Sequence, residues 1–257
     1  MAYKIIFFDV DGTLIDYKNG GMSKATINAI QQLQAKGIQV VAATGRPLSM
    51  CMELQALGIE TFITANGAYA KHRDSVIYES ILDKDIVTAI TAYAGHKGHA
   101  LSYFTETLSM NGIHNAPTLL ALQQTLSLQD YPEVDPFITE KDLFLMCLYA
   151  EKQHVEEYKA AFPALLFEQW HPFIANVLQR NVSKSIAAKA ILDYFDFKPE
   201  EAVAFGDGEN DMDLLDLAGY GVAMGNGSDK LKRMADFVTK DCDKDGIAFA
   251  LKGLQLI

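Results

Sequence analysis

Four short segments hold most of the side chains in this sequence that could do chemistry. They are Asp9-Val-Asp11-Gly12-Thr13-Leu14, Thr44-Gly45-Arg46, Lys184, and Gly206-Asp207-Gly208-Glu209-Asn210-Asp211. Asp9, Asp11, Asp207 and Asp211 together would make four neighbouring carboxylates. Like charges that close cannot all ionise without a counter-charge. A hard divalent cation answers the need. Mg²⁺ in particular takes one or two carboxylates, keeps waters and accepts substrate phosphate oxygens. Thr44 offers a hydroxyl and Lys184 an ammonium, both suited to phosphate. Gly12 and Gly45 let backbone N–H groups come close to an anion. Phosphoryl transfer needs an in-line nucleophile, charge neutralisation and a proton donor for the leaving oxygen. A carboxylate nucleophile divides such a hydrolysis into two easier steps.

These segments do their work only if the chain brings them together, and the local patterns say how. Ile5–Phe8 is a continuous apolar run ending at Asp9, as a buried parallel strand would. Ser23–Lys36 has helical spacing, with Ser23 as N-cap and Gly37 as stop. Ile38–Ala43 and Thr61–Ala65 read as strands, with a helix between them begun near Pro47 and stopped at Gly58. Such alternation implies a parallel sheet with right-handed crossovers. The end of the chain repeats it. Lys184–Tyr194, Asp211–Leu217 and Asp229–Ala235 read as helices; Ala202–Phe205, Gly221–Ala223 and Phe237–Thr239 read as strands. Asp245 is placed to cap a last helix from Ile247. The Asp9, Thr44 and Asp207 segments each follow a strand directly, and open α/β sheets bind ligands beyond the carboxyl ends of their strands.

The middle of the chain has a different composition. Residues 84–180 hold three glycines against fifteen in the other 160 residues, yet five of the six histidines and five of the seven prolines. Strand-like Ala100–Phe104 and Leu143–Tyr149 mix there with helical Ile86–Ala94, Leu119–Leu126 and His154–Ala161. The expected organisation is an α/β domain of residues 1–82 and 182–257 interrupted by an α+β insertion, 83–181.

Composition narrows the function. The net charge of −11 argues against a nucleic-acid binder that neutralises phosphates. Cys51, Cys147 and Cys242 are odd in number and form no CxxC pair, which fits a reducing compartment and no zinc site. No run approaches a membrane span. The apolar stretch at Ile5–Phe8 is too short for a signal-peptide core, so the cytoplasm is expected.

Asp9-Val-Asp11-Gly12-Thr13-Leu14, Thr44, Lys184 and Gly206-Asp207-x-x-Asn210-Asp211, in that order, resemble the haloacid dehalogenase-like phosphatases. Asn66-Gly67-Ala68 before the insertion and Gly221-Val222-Ala223-Met224-Gly225-Asn226 after it look like the Cof-type subgroup. The resemblance covers the chain. It implies a Rossmann-like parallel-sheet core with an α+β cap that chooses the leaving group, and hydrolysis of a small phosphorylated metabolite. Carried over residue by residue, Asp9 matches the nucleophile that forms an aspartyl-phosphate and binds Mg²⁺. Asp11 matches the general acid/base, whose backbone carbonyl binds the metal. Thr44 matches a phosphate-binding hydroxyl, and Lys184 the lysine that neutralises nucleophile and phosphoryl charge. Asp207 and Asp211 match metal ligands, and Asn210 a residue supporting Lys184 and phosphate. Gly45, Arg46, Asn66 and Gly67 fall on the substrate side. Ser185 departs from the glycine that often follows the motif lysine. A phosphosugar mutase, a phospho-accepting receiver-type module and a metabolite-binding regulator are the rival readings.

Other residues have plainer expected roles. Arg46 could equally meet a surface carboxylate. Glu209, Asp213 and Asp216 read as solvated, Trp170 as core or an interdomain contact, and Asn226 as a residue of the site rim. His96, His99 and His114 lack metal-ligand spacing.

Overall fold

The computed structural model describes residues 3–16 and 21–257. The first elements are β1 (Ile5–Asp9), α1 (Lys24–Ala35), β2 (Gln39–Ala43), α2 (Met52–Ala56), β3 (Thr61–Thr64), β4 (Tyr69–His72) and β5 (Ser75–Glu79). Then come α3 (Lys84–Lys97), β6 (Ala100–Phe104), β7 (Leu108–Met110), α4 (Ala116–Leu126), β8 (Leu145–Tyr149), α5 (Lys152–Ala161), β9 (Leu165–His171) and β10 (Ile174–Gln179). The last are α6 (Lys184–Phe195), β11 (Ala202–Gly206), α7 (Met212–Leu217), β12 (Tyr220–Ala223), α8 (Asp229–Met234), β13 (Phe237–Val238) and α9 (Gly246–Gly253).

The chain folds as two compact units. One comprises Met1–Arg46, Cys51–Tyr78 and Ser183–Ile257, the other Pro47–Met50 and Glu79–Val182. The first unit is an α/β structure on a sheet of order β13-β12-β11-β1-β2-β3-β4-β5. Pairing is parallel from β13 to β3 and turns antiparallel at β4. β1 is buried along its whole length, which is why its sequence is continuously apolar rather than alternating. One face of the sheet packs Ile5, Phe7, Val41, Ile63 and Ala204 against Ala187, Ala188, Ile191, Leu192, Leu214 and Leu231.

Register decides where the chemistry can lie. Asp9 pairs with Ala43, and Phe8 pairs with Phe205. Asp9, Thr44 and Asp207 therefore leave three adjacent parallel strands at nearly the same level.

The second unit carries an antiparallel sheet of order β7-β6-β8-β10-β9. Leu101, Tyr103, Met146, Leu148, Phe167 and Val177 of its strands pack on Val87, Ile90, Ala94, Val155 and Tyr158 of α3 and α5.

Local structure departs from expectation at three places. After Pro47 there is no continuous helix: a 3₁₀ turn at Leu48–Met50 precedes the short α2. Asp245 sits at the start of α9 in a left-handed conformation, but its side chain makes no cap bond there; its Oδ1 instead accepts from Ser23 Oγ at 2.7 Å. Trp170 is not core. The residue is 54% exposed, with Nε1 donating to Asn176 Oδ1 at 2.9 Å. Among the described residues no helix is long and apolar enough to cross a membrane.

Candidate active site

At the carboxyl ends of the central strands a buried lysine joins two carboxylates. Lys184 opens α6, where Ser183 is the N-cap. Its Nζ donates to Asp9 Oδ1 and to Asp211 Oδ1, both at 2.6 Å. Lys184 is 1% exposed, Asp211 0% and Asp9 5%. Asp211 Oδ2 in turn accepts the backbone N–H groups of Asp207 and Gly208, each at 3.0 Å.

A third carboxylate faces this pair. Oxygen atoms of Asp9, Asp207 and Asp211 lie within 4.8 Å of one another. Asp9 Oδ2 is buried and receives no hydrogen bond. The group beside it is the Asp207 carboxyl, another acceptor, so the two can bond directly only through a shared proton. Burial pushes the Asp9 carboxyl well above the usual range; Asp211 adds repulsion, Lys184 opposes it, and Asp207 and Asp11 repel further. Asp207 is pushed up to about 6, first by burial and then by Asp211. Burial disfavours the Lys184 ammonium, but Asp211 and Asp9 outweigh that and raise it. Asp9 is thus raised chiefly by burial, and Lys184 by its two carboxylate partners.

Three acids beside one ammonium are a physical test for a metal. The donors are hard carboxylate oxygens, one of them lacks any partner, and a positive charge is missing. The set fits a Mg²⁺-like divalent cation.

The fourth expected carboxylate, Asp11, is near enough to repel Asp9 and Asp207 but lies outside their 4.8 Å group. Asp11 does not add its side chain to the cluster but lies in the fork of Arg46, with Nε–Oδ2 at 3.1 Å and Nη2–Oδ1 at 2.5 Å. This corrects the picture of four clustered side chains to three acids and a separate ion pair. It also gives Arg46 a definite partner.

Thr44 is buried. Its Oγ1 accepts the Arg46 N–H at 3.1 Å, and its carbonyl accepts the Asn66 N–H at 3.1 Å. Gly45 lies under Asn66, whose Oδ1 would be 3.1 Å from a Cβ at that position. Asn210 Nδ2 donates to Asn66 Oδ1 at 3.3 Å, joining the β3 and β11 loops. Gly67 is buried with φ +98°, and a Cβ there would lie 2.1 Å from Ser183 O. Gly67 therefore seats the backbone that carries Lys184. Gly12 has φ +89°, and a Cβ there would lie 2.3 Å from Asp207 Oδ2, so the β1 loop and Asp207 are in direct apposition.

Two residues contribute more than their sequence context suggested. Asp213 is not simply solvated: its Oδ2 accepts the Ser185 N–H at 2.9 Å and satisfies a free donor at the start of α6. That bond uses the backbone of Ser185, so the departure from glycine leaves Lys184 in place. Asn226 Nδ2 donates to Gly12 O at 2.9 Å and lies 3.4 Å from Asp207 Oδ2. The signal for both was weak, one aspartate in an acidic helix start and one asparagine in a turn.

The comparisons with known proteins agree with this geometry. The family model for haloacid dehalogenase-like hydrolases matches residues 6–251. The chain is 35% identical to the candidate phosphatase YkrA of Bacillus subtilis (strain 168), over 100% of both chains. It is 30% identical to that organism's 5-amino-6-(5-phospho-D-ribitylamino)uracil phosphatase YitU, over 96% of each. Among solved structures, the sugar phosphatase BT4131, of HAD subclass IIB, superposes with a TM-score of 0.86 at 32% identity, covering 99% of this chain and 100% of that one. The chain belongs to the haloacid dehalogenase-like hydrolases. Within that family it is an enzyme of the phosphoric monoester hydrolase class.

Two consequences of the geometry can be measured. Gly67→Ala combines a positive φ with overlap on backbone atoms and should cost more than about 2 kcal/mol; urea denaturation should show a lower midpoint at unchanged slope. Asp207 has a folded pKa near 6 against an ordinary 3.8. A raised carboxyl pKa costs nothing at acid pH, and the penalty grows as pH rises from about 4 to about 6. Asp207→Asn should therefore stabilise the metal-free protein at pH 7.5 by roughly 1–3 kcal/mol. The gain should vanish near pH 4.

Proposed function

We propose that this hydrolase is a Mg²⁺-dependent phosphatase of small phosphorylated metabolites that works through an aspartyl-phosphate on Asp9. The observation that carries the reading is the Lys184 bridge to Asp9 and Asp211, beside an Asp9 oxygen with no partner. One oxygen of Asp9 is held and charge-compensated; the other is buried without a hydrogen-bond partner, which suits a reacting centre or a cation. The names of YitU and BT4131 support a cofactor precursor phosphate or a sugar phosphate as substrate class.

Residue roles follow from position. Asp9 attacks phosphorus, and the bond to the leaving oxygen breaks. Asp11 supplies the proton that the leaving oxygen needs. It then takes a proton from water, which attacks the phosphorus of the aspartyl-phosphate and releases inorganic phosphate and free Asp9. In the Arg46 fork Asp11 accepts on both oxygens, so donating a proton requires it to leave that fork. Lys184 offsets charge on Asp9 and on the phosphoryl group. Thr44 accepts from the backbone and keeps its own hydroxyl proton for a phosphate oxygen. The backbone at Gly45 and the side chains of Asn66 and Asn210 line the phosphate side, and Arg46 stands next to them. Asp9, Asp207 and Asp211, with the Asp11 carbonyl, would hold Mg²⁺, which supplies charge neutralisation for the transferring group when bound. Residues 1–82 and 182–257 act as the catalytic core, and residues 83–181 as the unit that selects the leaving group.

Phosphate release from a panel of phosphorylated metabolites should require Mg²⁺ and stop in chelator. Full activity after exhaustive metal removal contradicts the reading, and an isomerised sugar phosphate in place of inorganic phosphate would make the chain a mutase.

Asp11→Asn should separate the two steps. With an aryl phosphate, whose phenolate leaves unaided, it should give a burst of about one phenolate per chain followed by slow turnover. With an alkyl phosphate the first step should slow by about 10²–10⁴-fold. Equal losses on both substrates with no phosphorylated protein would remove Asp11 from acid/base work.

A further inference from the structure

Asn226 lies on the turn between β12 and α8, and the backbone alone fixes that turn. Gly225 N–H donates to Lys240 O at 3.1 Å, Gly227 N–H to Met224 O at 2.9 Å, and Ser228 N–H to Asp207 O at 2.9 Å. The side chain has a separate task. Its Nδ2 reaches Gly12 O at 2.9 Å and Asp207 Oδ2 at 3.4 Å, while its Oδ1 accepts the Cys242 N–H at 2.7 Å.

The chemistry of these partners explains why a carboxamide stands here. Gly12 O and Asp207 Oδ2 are both acceptors, pressed together where the β1 loop meets the end of β11. Only a group with two hydrogens on one atom can face both at once, and a carboxamide nitrogen is such a group without adding charge. The Cys242 N–H can bond only the oxygen end of the amide, so it decides which end faces the site. The β1 loop is the one that carries Asp9 and Asp11. A single side chain thus ties the nucleophile loop, the Asp207 carboxylate and the loop after β13.

We propose that Asn226 is a positioning residue for the divalent-cation pocket: it fixes the Asp207 carboxylate against the β1 loop and so sets the affinity of the pocket for Mg²⁺. This rests on the reading that Asp9, Asp207 and Asp211 hold the metal. Partners that orient metal ligands typically change affinity 10–100-fold when removed. Asn226 is exposed and its turn keeps its backbone bonds without the side chain, so its removal opens no cavity.

The test is calorimetric titration of MgCl₂ into the metal-free full-length chain, as wild type, Asn226→Ala and Asn226→Ser. Neither replacement can span Gly12 O, Asp207 and Cys242 N–H together. Both should bind Mg²⁺ about 10-fold more weakly than wild type. Their metal-free melting temperatures should stay within about 2 °C of wild type, as for an ordinary surface change. Unchanged Mg²⁺ affinity in both variants, with wild type binding, overturns the role of Asn226 alone. Loss of the metal-free fold in both variants also overturns it, because Asn226 would then be a fold determinant. A wild-type chain that binds no Mg²⁺ removes the metal reading and this inference together.

Discussion

One buried ammonium among two buried carboxylates and a half-buried third is the constraint on which the rest of the structure depends. Lys184 and Asp9 are 175 residues apart in sequence, and Lys184 and Asp211 are 27 apart. A buried ion pair adds little net stability, but an ion buried without its partner is severely penalised. Any arrangement of α6, β1 and the β11 loop other than this one strands a charge. A cation at a helix N-terminus also opposes the helix dipole. The neighbourhood compensates in kind: Ser183 and Asp213 bond the free N–H groups of Ile186 and Ser185, and two carboxylates hold the ammonium. Even so, the charges do not balance: burial first, and repulsion from Asp211 second, raise the Asp9 and Asp207 carboxyls above their usual range.

The backbone around the site stores strain in support of the same arrangement. Ala65 and Asn66 are consecutive non-glycine residues with φ of 50° and 54°. Such conformations cost about 1–3 kcal/mol each and persist where surroundings impose them. Here Ala65 N–H is bound by Arg46 O, and Asn66 N–H by Thr44 O. The β2 loop therefore holds the β3 loop in its left-handed turn. That turn presents Asn66 to Asn210 and lets Gly67 meet Ser183. Residues from three segments are locked by one another, leaving little freedom for any single side chain.

Much of this was legible from the residues. The strands ending at Asp9, Ala43 and Gly206 show as apolar runs because a parallel strand covered on both faces has no polar positions. The acids and the threonine then stand out immediately after each run. What escaped the sequence is pairing. Nothing local says that Arg46 takes Asp11 out of the acidic cluster, because their contact depends on how the β1 and β2 loops splay. Asp213 and Asn226 act through backbone partners in other segments, which side-chain chemistry does not reveal. The β9–β10 hairpin of the second unit was unforeseen for a different reason. Its strand Leu165–His171 mixes buried, half-buried and exposed positions, and Pro172-Phe173 replaces the usual glycine turn signal. Trp170, flanked by Phe167 and Phe173, reads as core or an interdomain contact, yet it stands on the exposed side of that strand with its indole N–H bonded to Asn176.

The charge shortfall can be measured through protons. If Asp9 and Asp207 hold protons in the metal-free state, binding Mg²⁺ must expel them. Calorimetric titration of the metal-free protein with MgCl₂ at pH 6, repeated in buffers of different ionisation enthalpy, counts the protons released. The account expects protons to be released on Mg²⁺ binding at pH 6, with the release shrinking as the pH rises past about 6 and Asp207 ionises on its own. Mg²⁺ binding with no proton release in the wild type at that pH would mean that the three carboxylates are already fully ionised and compensated by Lys184 alone, and would contradict the account at its centre.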